Sequence, residues 1–140
     1  MRRVAASREL LAPLDDVWAF VADPYNLPRW WPRMGGVQPD RRGLAPGARW
    51  LITGENRPTL LRRPEAVGHL LVLDVEPKRR IAFQLTGDKL DVVLELEPVS
   101  DSRTAARLEV EGRWLMGLSR SLPQQALNRI HALCQTAASP

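Results

Sequence analysis

Three side chains in this sequence are candidates for acid–base or electrostatic chemistry: Arg8, His69 and His131. Histidine exchanges protons near neutral pH, and an arginine guanidinium binds a carboxylate or enolate oxygen through paired donors. Arg8 shares strand parity with Val4 and Ala6. It points inward if that face is the inner one, and otherwise it is a strand-end arginine that reaches solvent. His131 falls on the polar side of a predicted helix, where we expect it to be exposed.

The orientation of His69 stays open at this stage. It shares a strand face with Leu71 and Leu73, but Leu70 and Val72 make the opposite face equally apolar. Its side chain therefore points either into the interior or into solvent. Arg8 and His69 are weak candidates for catalysis, and we assign no catalytic residue.

The motifs that mark a metal site, a nucleophile or a phosphate-binding loop are missing from the sequence. It has no HExxH pair, no GxSxG segment and no glycine-rich phosphate loop. Cys134 is the single cysteine, which excludes an internal disulfide and a multi-thiolate zinc site. We therefore expect no metal and no cofactor.

Length and composition indicate one globular domain over residues 1–140. The chain has 44% apolar and 26% charged residues, close to an ordinary soluble protein. No apolar run approaches the ~20 residues of a membrane span. The start Met1-Arg2-Arg3 resembles a signal peptide, but Ser7, Arg8 and Glu9 interrupt the apolar stretch that should follow. With a lone cysteine, these features predict a cytoplasmic protein.

The net charge of +4 does not indicate a nucleic-acid-binding protein. Arginine doublets begin at Arg2, Arg41, Arg62 and Arg79, in four separate places with acidic residues between them. A nucleic-acid surface would concentrate this charge on one element, with aromatic residues that stack on bases. We expect a solvated surface and no nucleic-acid partner.

The first part of the chain predicts a strand followed by two short helices. Residues 4–11 are compatible with a strand, and Pro13 marks a helix start, with Asp15 and Asp16 in its first turn. Asp23-Pro24 ends that helix and caps a second short one. We expect a loop at Gly35-Gly36.

The middle of the chain predicts an antiparallel meander. Residues 48–53, 68–76 and 81–85 are strand-like, and residues 54–64 are expected to form a loop or an irregular hairpin. Apolar residues then alternate with polar ones in two further strands, at Val92, Leu94 and Leu96 and at Ala106, Leu108 and Val110. Strands with no helices between them form an antiparallel sheet.

The last segment predicts an amphipathic helix with an apolar half that includes Leu122, Ala126, Leu127, Ile130, Leu133 and Cys134. Ser121 followed by Gln124 fits a capping box, and Pro123 is tolerated in a first turn. The helix begins near Leu122, or it begins near Met116 and is kinked at Pro123. We favour one element with a disturbed first turn.

The order of these elements, and the motif APxxxVWxxxxDPxxxPxWxP formed by residues 12–32, resemble the START-like (SRPBCC) helix-grip superfamily, in particular its polyketide cyclase/dehydrase-type members. Pro46-Gly47, Glu76-Pro77 and Thr104 add to the resemblance. It implies an α+β helix-grip fold: a curved antiparallel sheet of about six or seven strands around a long C-terminal helix, with two short helices after the first strand.

The resemblance also implies a cavity between the sheet and the last helix, although the alternating pattern alone fits a solid core equally well. The expected wall residues share an inward-facing apolar position: Trp50, Ile52, Phe83, Leu85, Val92, Leu94, Leu108, Trp114, Leu122, Ala126 and Ile130. The leading hypothesis is binding of an apolar or aromatic small molecule, lipid-like or polyketide-like. The alternatives are a polyketide cyclase or dehydrase, and a protein-interaction module.

Overall fold

The computed structural model describes residues 2–32, 34–53, 66–87, 89–112 and 120–138. In chain order its elements are β1 (Arg2–Leu10), α1 (Leu14–Val21), a 3-10 turn (Pro24–Asn26), α2 (Leu27–Trp30), β2 (Gly36–Gln38), β3 (Arg49–Thr53), β4 (Ala66–Glu76), β5 (Arg80–Leu85), β6 (Leu90–Ser100), β7 (Arg103–Gly112) and α3 (Leu122–Ala138). The predicted loop or irregular hairpin at residues 54–64 lies outside the described residues.

The seven strands form one antiparallel sheet in the order β1-β7-β6-β5-β4-β3-β2. The predicted α+β helix-grip fold is confirmed: a curved sheet, short helices after the first strand and a C-terminal helix. The expected loop at Gly35-Gly36 is wrong in one respect, because Gly36 begins the short edge strand β2. Val37 there pairs with Ile52 of β3. Three residues are too few for the alternation that reveals a strand in sequence.

The predicted helix boundaries near the start of the chain are confirmed. The helix α1 begins directly after Pro13. Asp15 and Asp16 lie in its first turn, where the interaction of carboxylates with the helix dipole stabilises the helix. The Asp23 carboxylate accepts a hydrogen bond from the backbone N–H of Tyr25 at 3.0 Å. This cap starts the 3-10 turn that leads into α2.

Two irregularities bend β4 and add curvature to the sheet. The register with β5 shifts between Val72 and Asp74, so Leu73 is an extra residue that opposes no partner and is 47% exposed. Near the start of β4, Gly68 pairs with β3 at a second register shift. It has φ +146°, and a Cβ atom at this position would lie 2.7 Å from the backbone nitrogen of Gly87. Only glycine fits this close approach.

The helix α3 begins at Leu122, with Pro123 in its first turn, which agrees with the first of the two predicted alternatives. The side chain of Gln125 donates to the hydroxyl of Ser121 at 2.8 Å, one position later in the helix than the predicted capping box. Met116, the alternative start, lies outside the described residues. The helix packs on β1 and β7 of the sheet and on α1 and α2.

Candidate functional site

The inner face of the sheet is a continuous apolar wall from β3 to β6. Each of these strands alternates, so one set of residues points to the core and is 8% exposed or less. The set comprises Trp50, Ile52, Leu70, Val72, Ile81, Phe83, Leu85, Leu90, Val92, Leu94 and Leu96. No ionisable side chain interrupts it among the described residues.

The structure places most of the predicted wall residues on this inner side. Nine of them are buried in one cluster: Trp50, Ile52, Phe83, Leu85, Val92, Leu94, Leu108, Ala126 and Ile130. Leu122 is partly buried against the same cluster. Trp114 lies outside the described residues. The burial places these side chains together, and their contact with a ligand stays a prediction.

The helix α3 covers the side of the sheet that contains β1 and β7, and residues outside α3 cover the other side. Its buried stripe runs through Leu127, Ile130 and Cys134, and it rests on β1 and β7. At 3.6 residues per turn, Ala126 lies on one flank of this stripe and Asn128 on the other. Asn128 bonds to β1, so Ala126 is on the flank turned away from β1, where it is fully buried.

An aromatic cluster of Trp30, Trp31 and Phe83 lies against the wall. The ring centroids are 6.1 Å apart for Trp30–Trp31, 6.4 Å for Trp30–Phe83 and 5.9 Å for Trp31–Phe83, each pair edge to face. Both tryptophans are nearly fully buried. This geometry is a favourable one for aromatic rings and fixes α2 over β5.

The indole N–H groups of Trp50 and Trp30, on the inner side of the sheet, differ in their hydrogen bonding. Trp50 Nε1 donates to the carbonyl of Gly43 at 2.8 Å. Trp30 Nε1 is buried and has no acceptor within the described part of the chain. The sequence predicted a packing role for Trp30. It did not predict the state of the indole N–H, because the spacing of apolar residues does not show which acceptors lie near it.

Arg8 points to the inner face of β1 but is held at the flank of α3. Its Nη1 donates to Asn128 Oδ1, which also accepts from Gln124 Nε2 at 2.9 Å. Arg8 as a residue is half-buried between the edge strand and the helix, on the opposite flank of α3 from Ala126. It therefore fastens the helix to β1 rather than facing the apolar wall.

Neither histidine lies on the wall. His69 is exposed, because Leu70 occupies the inner parity of β4 and turns its neighbour outward; the possibility that His69 points inward is thus corrected. His131 was expected to be exposed and is instead partly buried, with Nδ1 sealed from solvent and no partner among the described residues. Burial and the nearby Arg8 cation lower the pKa of His131.

A hollow of about 1030 Å³ opens to solvent at the end of the sheet near the start of α1. Nine of its fifteen lining residues are charged: Arg8, Glu9, Glu76, Lys78, Arg79, Arg80, Glu95, Glu97 and Arg107. It contains none of the predicted wall residues. Consecutive residues of β1, β6 and β7 line it, so it includes positions from both faces of the sheet. We regard the apolar wall, not this open and charged depression, as the candidate site.

The described residues show no group of three or more histidine, cysteine or acidic side chains that could hold a metal ion. Burial raises the pKa of the Cys134 thiol to about 11, with a smaller effect of Asp16. The thiol is therefore protonated at neutral pH. No helix in the described ranges has the length and apolar character needed to cross a membrane.

Comparison with protein families gives one match that covers most of the chain. Residues 1–129 match the family described as polyketide cyclase / dehydrase and lipid transport. No curated protein sequence is significantly similar to the chain.

Solved structures with the same fold match nearly the whole of this chain. The di-domain ARO/CYC BexL from the BE-7585A biosynthetic pathway has 22% identity and a TM-score of 0.74, covering 100% of this chain and 48% of its own. This chain thus spans about half the length of BexL. A protein from Nitrosospira multiformis has 15% identity and a TM-score of 0.73, covering 99% of this chain and 100% of its own. DynU16, from the dynemicin biosynthetic locus, has 19% identity and a TM-score of 0.65, covering 96% and 48%.

Proposed function

The chain belongs to the polyketide cyclase/dehydrase and lipid transport family, and we propose that it binds an apolar or aromatic small molecule, lipid-like or polyketide-like, between the curved sheet and α3. One observation carries this proposal. The apolar inner face continues from β3 to β6, whereas α3 packs on β1 and β7. A wall of this kind, with few polar groups beside it, is typical of small-molecule sites.

Ala126 is the position that tests whether this region is hollow. Its small side chain is fully buried on the flank of α3 turned away from β1, next to Leu122. In a cavity, Ala126→Phe fills space, keeps the melting temperature and weakens binding of an apolar probe at least tenfold. In a solid core the same change overpacks and costs about 1–3 kcal/mol.

The probe is N-phenyl-1-naphthylamine, which is neutral and fluoresces in apolar surroundings. At roughly 0.3 kcal/mol per heavy atom its dissociation constant is on the order of 0.1 mM. The matched control is Ala132→Phe, an exposed position on the same helix. We expect wild type and Ala132→Phe to bind equally. Absence of binding by wild type, together with strong destabilisation by Ala126→Phe, would refute the cavity.

Catalysis by the same fold is the second candidate, a polyketide cyclase or dehydrase, and it is favoured by the family match and by the similarity to BexL. Such an enzyme would act by confining a flexible polyketone and polarising a carbonyl group. Binding without catalysis is preferred because Arg8, His69 and His131 all lie away from the apolar wall. The buried Cys134 fits a reducing compartment, and we propose a cytoplasmic location.

A further inference from the structure

The indole N–H of Trp30 is a buried donor inside an otherwise apolar cluster. Trp30 is 1% exposed, and its Nε1 has no acceptor in the described ranges. Buried donors in folded proteins are paired in the great majority of cases, because an unpaired one loses its hydrogen bond to water. Trp50 follows this rule through the carbonyl of Gly43. Trp30 departs from it.

Among the residues that the structure describes, the surroundings of Trp30 offer no substitute acceptor of ordinary strength. The neighbouring rings are Trp31 and Phe83, at 6.1 and 6.4 Å between centroids. An aromatic face is at best a weak acceptor for an N–H group. Nε1 is also buried away from bulk solvent. No acceptor among the described residues reaches this nitrogen, and a molecule bound beside the rings would supply one.

We infer that Trp30 Nε1 is a specificity-determining donor that selects ligands carrying a hydrogen-bond acceptor, a carbonyl or ether oxygen, on an aromatic body. The inference rests on the proposed binding function. Trp30 contacts Phe83, one of the wall residues, so a ligand held on the wall comes next to the ring that carries this donor. The aromatic part of the ligand packs among the edge-to-face rings, and the ligand oxygen accepts a hydrogen bond from Trp30 Nε1.

Two nearly isosteric probes separate this selectivity from plain apolar binding. 2-Acetylnaphthalene carries a carbonyl oxygen where 2-isopropenylnaphthalene carries a methylene group. Their affinities are measured by displacement of N-phenyl-1-naphthylamine. Wild type is expected to prefer the ketone by about three- to tenfold, the effect of one net hydrogen bond. Trp30→Phe, which keeps an aromatic ring, is expected to remove the preference.

The matched control is Trp31→Phe, a neighbour in the same aromatic cluster that should retain the preference. A second readout is spectroscopic: the stretching frequency of the 13C-labelled carbonyl should be lower when the ketone is bound to wild type than when it is bound to Trp30→Phe. Equal affinities of wild type for the two probes, or the same carbonyl frequency in wild type and Trp30→Phe, would overturn the role of Trp30. If wild type binds neither probe, the proposed function itself fails.

Discussion

Thr104 is fully buried where β7 meets the segment that leads into α1. Its hydroxyl donates to the carbonyl of Ala12 at 2.9 Å, which joins the sheet to the start of the helical layer. Thr104→Val keeps the shape but leaves that carbonyl without this donor. We expect a loss of about 1–3 kcal/mol in the free energy of unfolding, measured by urea denaturation.

The control for this change is Thr86→Val. Thr86 also donates to a backbone carbonyl, that of His69 at 3.1 Å, but it is exposed and water can replace the bond. We expect a loss of roughly 0.5 kcal/mol or less there. Equal losses at the two threonines would contradict the role of burial.

For single residues, the sequence predicted which side chains face inward better than it predicted the hydrogen-bond partners of their polar atoms. Strand alternation correctly placed Phe83, Val92 and Leu94 in the core. It left Arg8 open, because parity says nothing of a partner on another element, and Asn128 of α3 turned out to hold it. The unpaired N–H of Trp30 gives no sequence signal at all, since it depends on which acceptors the fold brings near.

At the scale of the elements, the contact between α3 and the edge strand β1 contains a titratable group. His131 of α3 has a buried Nδ1 and lies near Arg8 of β1. Burial and this cation disfavour the imidazolium, so the pKa of His131 in the folded protein lies below its ordinary value of 6.5. The unfolded chain therefore binds a proton more readily than the folded one.

The sign of the pH dependence follows from that difference. The stability that neutral His131 contributes is fully present above pH 6.5 and is lost as the pH falls below this value. We expect the difference in unfolding free energy between wild type and His131→Gln to decrease steadily from pH 7 to pH 5. Urea denaturation at each pH measures it.

The exposed His69 provides the matched comparison for this titration. His69→Gln removes the other histidine without touching the contact between α3 and β1. The pH profile of His131→Gln is therefore also measured in this background, where His131 is the single histidine. Parallel profiles for wild type and His131→Gln would contradict the proposed burial of the neutral imidazole.

The elements themselves were largely predictable, and the exceptions have local causes. Alternation located β6 and β7, and Pro13 located the start of α1. The edge strand β2 was missed because it has three residues and begins at a glycine. The bulge at Leu73 was also invisible, since an extra residue changes the pairing between strands and not the composition of either one.

At the scale of the whole molecule, the motif at residues 12–32 and the predicted order of the elements pointed to the fold that the sheet order and the family match then established. A cavity does not follow from the same pattern, because inward-facing apolar residues fill a core and line a pocket equally well. The extent of residues 1–140 as a single domain stays a prediction.

Native mass spectrometry tests the proposed binding function most directly. Wild type and Ala126→Phe are purified without detergent, then measured before and after incubation with excess N-phenyl-1-naphthylamine. We expect wild type to carry a noncovalent low-mass adduct, either copurified or acquired from the probe, that is released on denaturation and reduced in Ala126→Phe. Identical unliganded spectra for both proteins in the presence of the probe would contradict the binding function.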